Sequence, residues 1–386
     1  MGTRLNLMSL HQFSFPTAIT FGAGARKKLG AYLNSAAIKR PLIVTDKGVA
    51  ALSFTTEIMR DLEENGLAPS LFGGVWGNPT SSQVRDGTSA FREHQADAVV
   101  GLGGGAALDV AKVVALMAVH PGDVVDYTWD HPARRPVQNA LPRFVALPTT
   151  SGTGSEVGRS AVISDDTTHV KKIVFSPALL ARAVFADPEL TLGLPPKITA
   201  ATGIDALTHN IESYLSPVYH PLCDGIALEG ARIAARALPA AFHNGQSLRA
   251  RSDMMMSSLL GAIAFQKDLG AVHACAHALG AVLDLHHGLA NGLMLDHVMR
   301  FNLDAAREKL SELGRVCGAG SAAEDFVAWL TRLKVGLGIP SRLREVGVRP
   351  EHLPALVSLA FKDGCHQTNP RPCSGADFER LFSEAM

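Results

Sequence analysis

The feature that most restricts the fold of this chain is a glycine-rich turn within residues 97–112, DAVVGLGGGAALDVAK. An apolar run leads into three consecutive glycines, Gly103, Gly104 and Gly105, and a helix-forming stretch follows them. Glycines let a backbone approach a diphosphate closely, and a helix N-terminus offers free N–H donors and a favourable dipole. The segment also fits the loose dinucleotide pattern G-x-G-x-x-A, although a turn that needs glycine only for packing would look the same.

The first half of the chain alternates short β-branched runs with helical patterns. The predicted strands are Thr17–Phe21, Pro41–Thr45, Ala98–Leu102, Phe144–Leu147, Val157–Ile163 and Ile173–Phe175. The predicted helices are Thr55–Asn65, Ser81–His94 and Ala107–Val119. Because such alternation is typical of βαβ units with right-handed crossovers, we expect a largely parallel sheet of the α/β class.

From about residue 198 onward, convincing strands disappear and apolar residues recur at helical spacing. The predicted helices are Asp224–Leu238, Ser247–Ala264 and Ala305–Val316. Pro239 is expected to close the first of these helices, and Thr199 is expected to cap the helix before it. Glycine and proline breakers at 193–196 precede the change. We therefore predict an α/β dinucleotide-binding domain over residues 1–190 and an all-helical domain over residues 191–386.

Charge, hydropathy and cysteine usage exclude several classes of protein. Lys and Arg together number 36, as do Asp and Glu, so there is no basic surplus and we expect no nucleic-acid partner. The longest apolar run, at 101–119, is interrupted by Asp109 and Lys112, so we expect no membrane span. Five scattered cysteines without a CxxC pair, and an N-terminus without an apolar leader, indicate a cytoplasmic protein with reduced thiols.

A loop rich in hydroxyl groups, PTTSGTGSE at residues 148–156, is a second candidate binding element. Its threonines, serines and glycines offer side-chain and backbone donors to a phosphate or a ribose, and an ordinary surface loop would not need so many hydroxyls together. Asp46 directly follows the predicted strand Pro41–Thr45, where a carboxylate can accept hydrogen bonds from a ribose diol. Taken alone, the sequence Asp-Lys-Gly at this point is more often just a turn.

Five of the histidines in the second half, together with one aspartate, lie in surroundings of small residues. These residues are Asp205, His209, His273, His277, His286 and His287. Asp205 and His209 are four residues apart, as are His273 and His277, so each pair lies on one face of a helix. Any one of the histidines alone is better explained as a core or surface residue. Taken together, Asp205, His209, His273 and His287 form a metal-ligand pattern, and three imidazoles with one carboxylate suit Fe(II) or Zn(II).

With these motifs, the chain resembles the group III, iron-containing (metal-dependent) alcohol dehydrogenases over nearly its whole length, from Phe21 to Arg371. The motifs that carry the resemblance are Gly103-Gly-Gly with Asp109 and Lys112, Pro148-Thr-Thr-Ser-Gly-Thr-Gly-Ser-Glu156, Ala201-Thr-Gly-Ile-Asp-Ala-Leu-Thr-His209, and His273-x-x-x-His277 with His287-Gly. The resemblance implies an N-terminal dinucleotide-binding α/β domain, an all-helical C-terminal domain and an active site in the cleft between them.

The resemblance also implies roles for individual residues. The implied metal ligands are Asp205, His209, His273 and His287. His277 falls on a histidine beside the nicotinamide that is not a ligand, where it would relay a proton to solvent. The implied cofactor contacts are Asp46, Asn78, Gly103, Gly104, Gly105, Asp109, Thr149, Thr150, Thr153 and Lys172. Because a carboxylate at Asp46 would repel the additional phosphate of NADP, we expect NAD to be the preferred cofactor.

Three positions depart from the family pattern. Ala106 replaces the usual serine after the third glycine, and Arg159 and Lys267 stand where many members carry uncharged residues. The segments around His273 and 365–370 are most similar to a subgroup that includes 4-hydroxybutyrate dehydrogenases. The positively charged side chains of Arg159 and Lys267 would attract the carboxylate of a small hydroxy acid. The alternative is that both are surface charges paired with neighbouring acids such as Asp268.

We therefore expect a metal-dependent NAD(H) oxidoreductase that interconverts a small primary alcohol or hydroxy acid and its carbonyl product. The expected cofactors are NAD and Fe(II) or Zn(II), and the family suggests a homo-oligomer. The alternative enzymes are a glycerol dehydrogenase or a lyase similar to dehydroquinate synthase, which also combine NAD with a metal. A sensor with a dead site is the alternative outside enzymes, but it would require a lost ligand, and none of the four is missing.

Overall fold

A computed structural model describes Phe15 and residues 17–167 and 170–386 of the chain. These residues form two compact units of tertiary contacts. The N-terminal unit comprises residues 17–150 and 154–191. The helical unit comprises Phe15 and residues 151–153 and 192–386. Among the described helices, none combines the length and the apolar character needed to cross a lipid bilayer.

The secondary-structure elements are numbered in chain order. The strands are β1 (Ala18–Phe21), β2 (Pro41–Asp46), β3 (Ser70–Val75), β4 (Ala98–Gly103), β5 (Arg143–Pro148), β6 (Ser160–Ser164), β7 (Lys171–Phe175) and β8 (Ala183–Ala186). The α-helices are α1 (Leu29–Ser35), α2 (Lys47–Ala50), α3 (Ser53–Glu64), α4 (Ser81–Glu93), α5 (Gly105–Met117), α6 (Pro196–Leu215), α7 (Pro221–His243), α8 (Leu248–Ala264), α9 (Ala271–Leu283), α10 (His287–Val316), α11 (Ala323–Gly336), α12 (Leu353–Lys362) and α13 (Gly375–Ala385). Short 3-10 turns connect them at Ala25–Lys28, Val124–Tyr127, Ser155–Val157, Pro177–Leu179, Pro188–Thr191, Phe265–Lys267, Leu343–Val346, Pro350–His352 and Gly364–Thr368.

Six strands of the N-terminal unit form one parallel sheet in the order β1–β8–β5–β4–β2–β3. Helices cover both faces of the sheet: α1 and α3 pack on the face that carries Ile43 and Val100, and α5 packs on the face of Gly101. From β2 the chain crosses to β3 at the edge, whereas from β4 it crosses the other way to β5. This reversal leaves a crevice at the carboxyl ends of β2 and β4, where ligands bind in open α/β sheets.

The predicted α/β sheet is confirmed, but two of its strands are missing from the prediction. In β3, the pair Gly73 and Gly74 resembles a turn, and β8 is only four residues long. The predicted strand Val157–Ile163 begins later, at Ser160, because a 3-10 turn ends at Val157. This strand and β7 form an antiparallel pair of their own outside the six-stranded sheet.

The predicted helical character of the second half is also confirmed, and its close packing depends on small residues. Helix α6 is buried on nearly all sides and packs against α7, α8 and α10. A side chain at Gly288, the second residue of α10, would place its Cβ 2.0 Å from the Ala201 carbonyl oxygen. The start of α10 therefore lies directly against the backbone of α6, which brings His287 next to Asp205.

Three helix boundaries differ from the prediction. Helix α7 continues through Pro239 to His243, because its packing against α6 and α8 outweighs the one hydrogen bond that proline removes. Thr199 is not the cap of α6, which begins at Pro196; its hydroxyl instead accepts a hydrogen bond from Arg251 at 2.8 Å. The predicted helix Ala305–Val316 is the last part of α10, which is kinked at Ala306 (φ −130°).

Candidate metal and dinucleotide sites

The glycine turn lies at the carboxyl end of β4, beside the ends of β2 and β5. Gly103 has a φ of +150°, and a Cβ there would lie 2.6 Å from the Cβ of Ala107. The amide of Thr149 donates to the Gly103 carbonyl at 3.0 Å, which fixes the hydroxyl-rich loop beside the turn. Helix α5 begins after Gly104 without any side-chain cap. Its first-turn amides are therefore available to a diphosphate, and no side chain could replace Gly103 without displacing the backbone.

Asp46 ends β2, and its two carboxylate oxygens have different surroundings in the N-terminal unit. Its Oδ1 accepts hydrogen bonds from the amides of Gly48 and Val49, each at 2.9 Å, and so caps α2. Its Oδ2 faces the glycine turn, where a Cβ on Gly103 would lie 3.3 Å from it. Oδ2 has no hydrogen-bond partner among the described residues. The turn interpretation and the ribose-acceptor interpretation of Asp46 are thus compatible, because each uses a different oxygen.

Asp109 is bonded inside the N-terminal unit. One of its oxygens accepts from the Ser155 hydroxyl at 2.5 Å and the other accepts from the Val162 amide at 2.9 Å. The buried Lys112 ammonium donates to Ser155 at 2.7 Å and lies 3.8 Å from Asp109. Burial raises the pKa of Asp109 and lowers the pKa of Lys112. These contacts tie α5 to the loop and to β6, so Asp109 supports the turn from behind.

The other predicted cofactor residues differ in their surroundings. Thr150 lies beside Gly104, where a Cβ would be 3.2 Å from the threonine methyl group. Asn78 lies in the turn between β3 and α4. Lys172 forms an ion pair with Asp130, whose pKa is lowered mainly by this hydrogen bond. Thr153 belongs by its contacts to the helical unit, unlike Thr149 and Thr150.

In the helical unit, the four predicted metal ligands form one cluster. One donor atom from each of Asp205, His209, His273 and His287 lies within 4.8 Å of the others. The Oδ1 atom of Asp205 is 3.9, 3.8 and 3.4 Å from the Nε2 atoms of the three histidines, in that order. All four side chains are largely buried. Because three nitrogen donors and one carboxylate converge on one small volume, the residues fit a single divalent cation.

The cluster is prepared for a cation by its protonation state. Burial holds the pKa of His273 and of His287 well below the ordinary value, so both imidazoles are neutral near pH 7. Only a neutral imidazole can donate a lone pair to a metal. In this arrangement the Asp205 carboxylate carries the negative charge that a divalent cation would compensate.

Two buried residues outside the predicted set of site residues contact the cluster. The Glu212 carboxylate accepts from the Val272 amide at 2.7 Å and lies 2.5 Å from Nδ1 of His273, and burial raises its pKa to about 7. The Asn291 amide nitrogen donates to Asp205 Oδ1 at 2.7 Å. Hydrogen-bond partners of this kind orient metal-binding side chains. Glu212 follows His209 by three residues and Asn291 follows His287 by four, a helical spacing that could have revealed both.

His277 lies beside the cluster without belonging to it. Its ring stacks on His287 with 5.3 Å between ring centroids and meets His273 edge to face at 6.0 Å. Its Nδ1 is 2.8 Å from Oδ2 of Asp363. Although burial opposes it, the hydrogen bond from His277 lowers the pKa of Asp363 to about 2. No local spacing connects residues 277 and 363, so nothing in the sequence could have revealed this pair.

Lys267 and Arg159, the two cationic residues predicted to bind a substrate carboxylate, differ in their contacts. Lys267 is completely buried and forms an ion pair with Asp224 rather than with Asp268. A buried ammonium needs such a partner, so the charge of Lys267 is compensated by Asp224, and its role toward a substrate carboxylate stays a prediction. Arg159 is half-buried, with its guanidinium 5.8 Å from the centre of the Phe175 ring. It forms no ion pair with any residue in the described part of the chain.

Comparison with known proteins identifies relatives over the whole length of the chain. Residues 16–188 match the family model of iron-containing alcohol dehydrogenases, and residues 199–386 match that of the C-terminal region of the same family. The chain is 37% identical to 1,3-propanediol dehydrogenase of Klebsiella pneumoniae, with 98% of this chain and 100% of the relative covered. It is 39% identical to 4-hydroxybutyrate dehydrogenase of Cupriavidus necator, with 96% and 98% covered.

Solved structures give the same result. The structure superimposes on a crystal structure of 1,3-propanediol oxidoreductase with a TM-score of 0.94 at 37% identity, covering 98% of this chain and 100% of the other. An alcohol dehydrogenase from Oenococcus oeni gives a TM-score of 0.93 at 32% identity, with 98% and 100% covered. The likeness therefore extends through both units.

Proposed function

The chain belongs to the iron-containing alcohol dehydrogenase family, and from this premise we propose that it is a metal- and NAD-dependent dehydrogenase of short alcohols that carry a second oxygen function. It interconverts the alcohol, or a hydroxy acid, with the corresponding carbonyl compound by hydride transfer. The observation that supports this proposal most strongly is the convergence of Asp205, His209, His273 and His287 within 4.8 Å.

The N-terminal unit would hold NAD at the glycine turn. When bound, NAD supplies a hydride acceptor. Gly103, Gly104 and Gly105 would bind its diphosphate through their amides, because α5 begins there without a side-chain cap. The free Oδ2 of Asp46 would accept hydrogen bonds from a ribose diol, while Asn78, Thr149, Thr150, Thr153 and Lys172 are proposed as further contacts. Asp109 acts indirectly, because its oxygens are occupied by Ser155 and Val162.

The helical unit would hold Fe(II) or Zn(II) with Asp205, His209, His273 and His287. When bound, such a cation supplies Lewis-acid stabilisation of negative charge on an oxygen atom. Burial keeps His273 neutral, and Glu212 holds its ring by accepting from Nδ1, which leaves Nε2 facing Asp205. His277 would take up the hydroxyl proton of the substrate and pass it to water, because its side chain is 29% exposed.

The substrate class is a short chain with a hydroxyl at one end and an oxygen function at the other. The names of two relatives support it, since 1,3-propanediol and 4-hydroxybutyrate share this pattern. We propose Arg159 as the group that receives a substrate carboxylate, because its charge lacks an acidic partner among the described residues. The Arg159→Ala variant should lose roughly 10–150-fold in kcat/KM on a hydroxy acid, equivalent to about 1.5–3 kcal/mol, and far less on the matching diol. Equal losses on both substrates would contradict this assignment.

We further propose that the protein works in the cytoplasm as a homo-oligomer. All five cysteines are free, as is typical of a reducing compartment. Light scattering of the purified protein tests the oligomeric state, and a monomer at micromolar concentration would contradict it.

The decisive experiment is turnover with NAD before and after metal removal. The purified protein is treated with a chelator, dialysed, and divided into portions that receive Fe(II), Zn(II) or nothing. NADH formation is then measured with 1,3-propanediol and with 4-hydroxybutyrate. Activity on at least one of them should disappear on metal removal and return with one of the ions. Turnover that survives complete metal removal would contradict the proposed mechanism.

A further inference from the structure

A backbone hydrogen bond fixes the orientation of the Asp363 carboxylate toward His277. Asp363 directly follows α12 and caps the 3-10 turn Gly364–Thr368, where its Oδ1 accepts a hydrogen bond from the Cys365 amide at 2.9 Å. Its Oδ2 lies 2.8 Å from Nδ1 of His277. Because the two oxygens have separate donors, the carboxylate is held in one orientation. It is also only 20% exposed, so water competes weakly for it.

A carboxylate can only accept hydrogen bonds, so Nδ1 of His277 must carry a proton and donate it. In the neutral ring, Nε2 is then the atom with the free lone pair. Nε2 of His277 has no hydrogen-bond partner in the described part of the chain, whereas the ring stacks on His287 and makes a T-shaped contact with His273. The arrangement therefore leaves one nitrogen, in one tautomer, able to accept a proton.

We propose that Asp363 is a positioning residue that fixes His277 in the Nδ1-protonated tautomer and thereby makes Nε2 the proton acceptor. This inference rests on the proton-relay role of His277 in the proposed function. In alcohol oxidation, the O–H bond of the substrate breaks and its proton bonds to Nε2, while the hydride leaves carbon for NAD. Nε2 then releases the proton to water, and Nδ1 remains bonded to Asp363 throughout. Atoms and charge balance without any further reactant.

The Cys365 amide makes a specific test possible. In Asp363→Asn, the amide oxygen must accept from the Cys365 N–H, so the NH2 group of Asn faces His277 and donates to Nδ1. That variant forces the opposite tautomer, with the proton on Nε2, where it blocks proton uptake. In Asp363→Ala neither tautomer is imposed. We therefore expect kcat to fall in the order wild type, Ala, Asn, with the Asn variant near His277→Ala, about 10²–10⁴-fold below wild type.

A merely structural role for Asp363 predicts the reverse order, because Asn keeps the shape and the Cys365 contact that Ala loses. Metal content and KM for NAD should be unchanged in both variants. In the His277→Ala background, Asp363→Asn should cause no further loss of kcat, since it acts through the missing ring. An Ala variant slower than the Asn variant, or additive losses in the double variant, would overturn the proposal.

A measurement on the resting protein separates this inference from the relay itself. The nitrogen chemical shifts of ¹⁵N-labelled His277 in the zinc-loaded protein, assigned by comparison with His277→Ala, should show a protonated Nδ1 and an unprotonated Nε2. Asp363→Asn should invert them. Unchanged shifts in that variant would refute the role of Asp363 even if His277 is the relay. Conversely, wild-type turnover in His277→Ala would refute the relay, while the shifts would still decide what Asp363 does.

Discussion

The glycine turn of the N-terminal unit and the metal cluster of the helical unit offer their ligands in opposite ways. The turn offers backbone amides, and the first of its three glycines, Gly103, has no room for a single methyl group. The cluster offers side chains from three helices, and buried partners orient two of them, Glu212 at His273 and Asn291 at Asp205. The glycine turn requires the absence of side-chain atoms, whereas the metal cluster requires side chains that supply ligand atoms.

This difference means that the two sites should fail under opposite mutations. Adding a methyl group should damage the turn, because the helix N-terminus behind it cannot retreat from β4 without breaking the sheet contacts. Removing one imidazole should damage the cluster, because three remaining donors bind a cation more weakly and leave a buried carboxylate without compensation. The following variants test this contrast.

The largest effect is expected from His273→Ala. The variant loses a ligand and the group that Glu212 holds, so it should lose most bound metal and roughly 10³-fold or more of kcat. His243→Ala, which removes an exposed histidine at the end of α7, is the matched control and should keep both. Elemental analysis of the purified variants decides the point. Full metal occupancy in His273→Ala would show that another histidine, such as His277 or His286, is the ligand.

Gly103→Ala should affect the other site and leave the metal in place. The added Cβ would lie 2.6 Å from that of Ala107, so we expect KM for NAD to rise about 10- to 100-fold, equivalent to about 1.4–2.8 kcal/mol. Gly225→Ala is the control, because a Cβ there meets nothing within 4 Å. Metal content should match wild type in both variants. A Gly103→Ala protein that binds NAD normally would remove the glycine turn from the cofactor site.

Local spacing explains which parts could be predicted from the sequence. The pairs Asp205 with His209 and Gly103 with its following helix are encoded within a few residues, so their geometry follows from helix periodicity and glycine backbone freedom. The strand β3 escaped prediction because its two glycines resemble a turn, and α7 continues through Pro239 because tertiary packing overrides local propensity.

Long-range contacts explain most of what could not be predicted. Asp363 meets His277 across 86 positions of sequence, and Lys267 pairs with Asp224 instead of its neighbour Asp268. Both contacts depend on how the helices of the C-terminal unit pack, and no periodicity encodes that packing. The sequence indicates which residue types form the site, whereas the residues that orient them can be recognised only in the folded structure.

Asp46 should control cofactor choice, because its free oxygen faces the glycine turn. Asp46→Asn keeps the cap of α2, since Asn also accepts from backbone amides, and removes only the charge. We expect the ratio of kcat/KM for NADP to that for NAD to rise about 10-fold, corresponding to about 1.4 kcal/mol. Asp46→Gly should relax the preference as well, with an additional loss of stability from the missing cap. Equal kcat/KM values for the two cofactors in the wild-type protein would contradict the role of Asp46.

The two units also differ in how they accommodate a buried glutamate. Burial raises the pKa of Glu156 and of Glu212 to about 7 in both cases. Glu212 is surrounded by donors, including the Val272 amide and His273. Glu156, at 2% exposure, has an Oε1 atom without a hydrogen-bond partner among the described residues, so its ionised form is poorly compensated. The N-terminal unit should therefore lose stability when Glu156 ionises.

Glu156→Gln tests this expectation through stability, with no loss of a ligand or of a cofactor contact. A raised pKa means that the folded state binds the proton more tightly than the unfolded state, so stability falls as pH rises from about 4.5 towards 7 and then levels off. The Gln variant cannot ionise at this position. Between pH 5 and pH 8 its free energy of unfolding should therefore fall by about 1–3 kcal/mol less than that of the wild type, which corresponds to a few degrees in Tm. Glu93→Gln, at an exposed site at the end of α4, should follow the wild-type curve. If the pH dependence of stability is the same in Glu156→Gln as in the wild type, groups such as Lys112 compensate the charge of the unpartnered oxygen. The buried glutamates of the two units would then be equally well compensated.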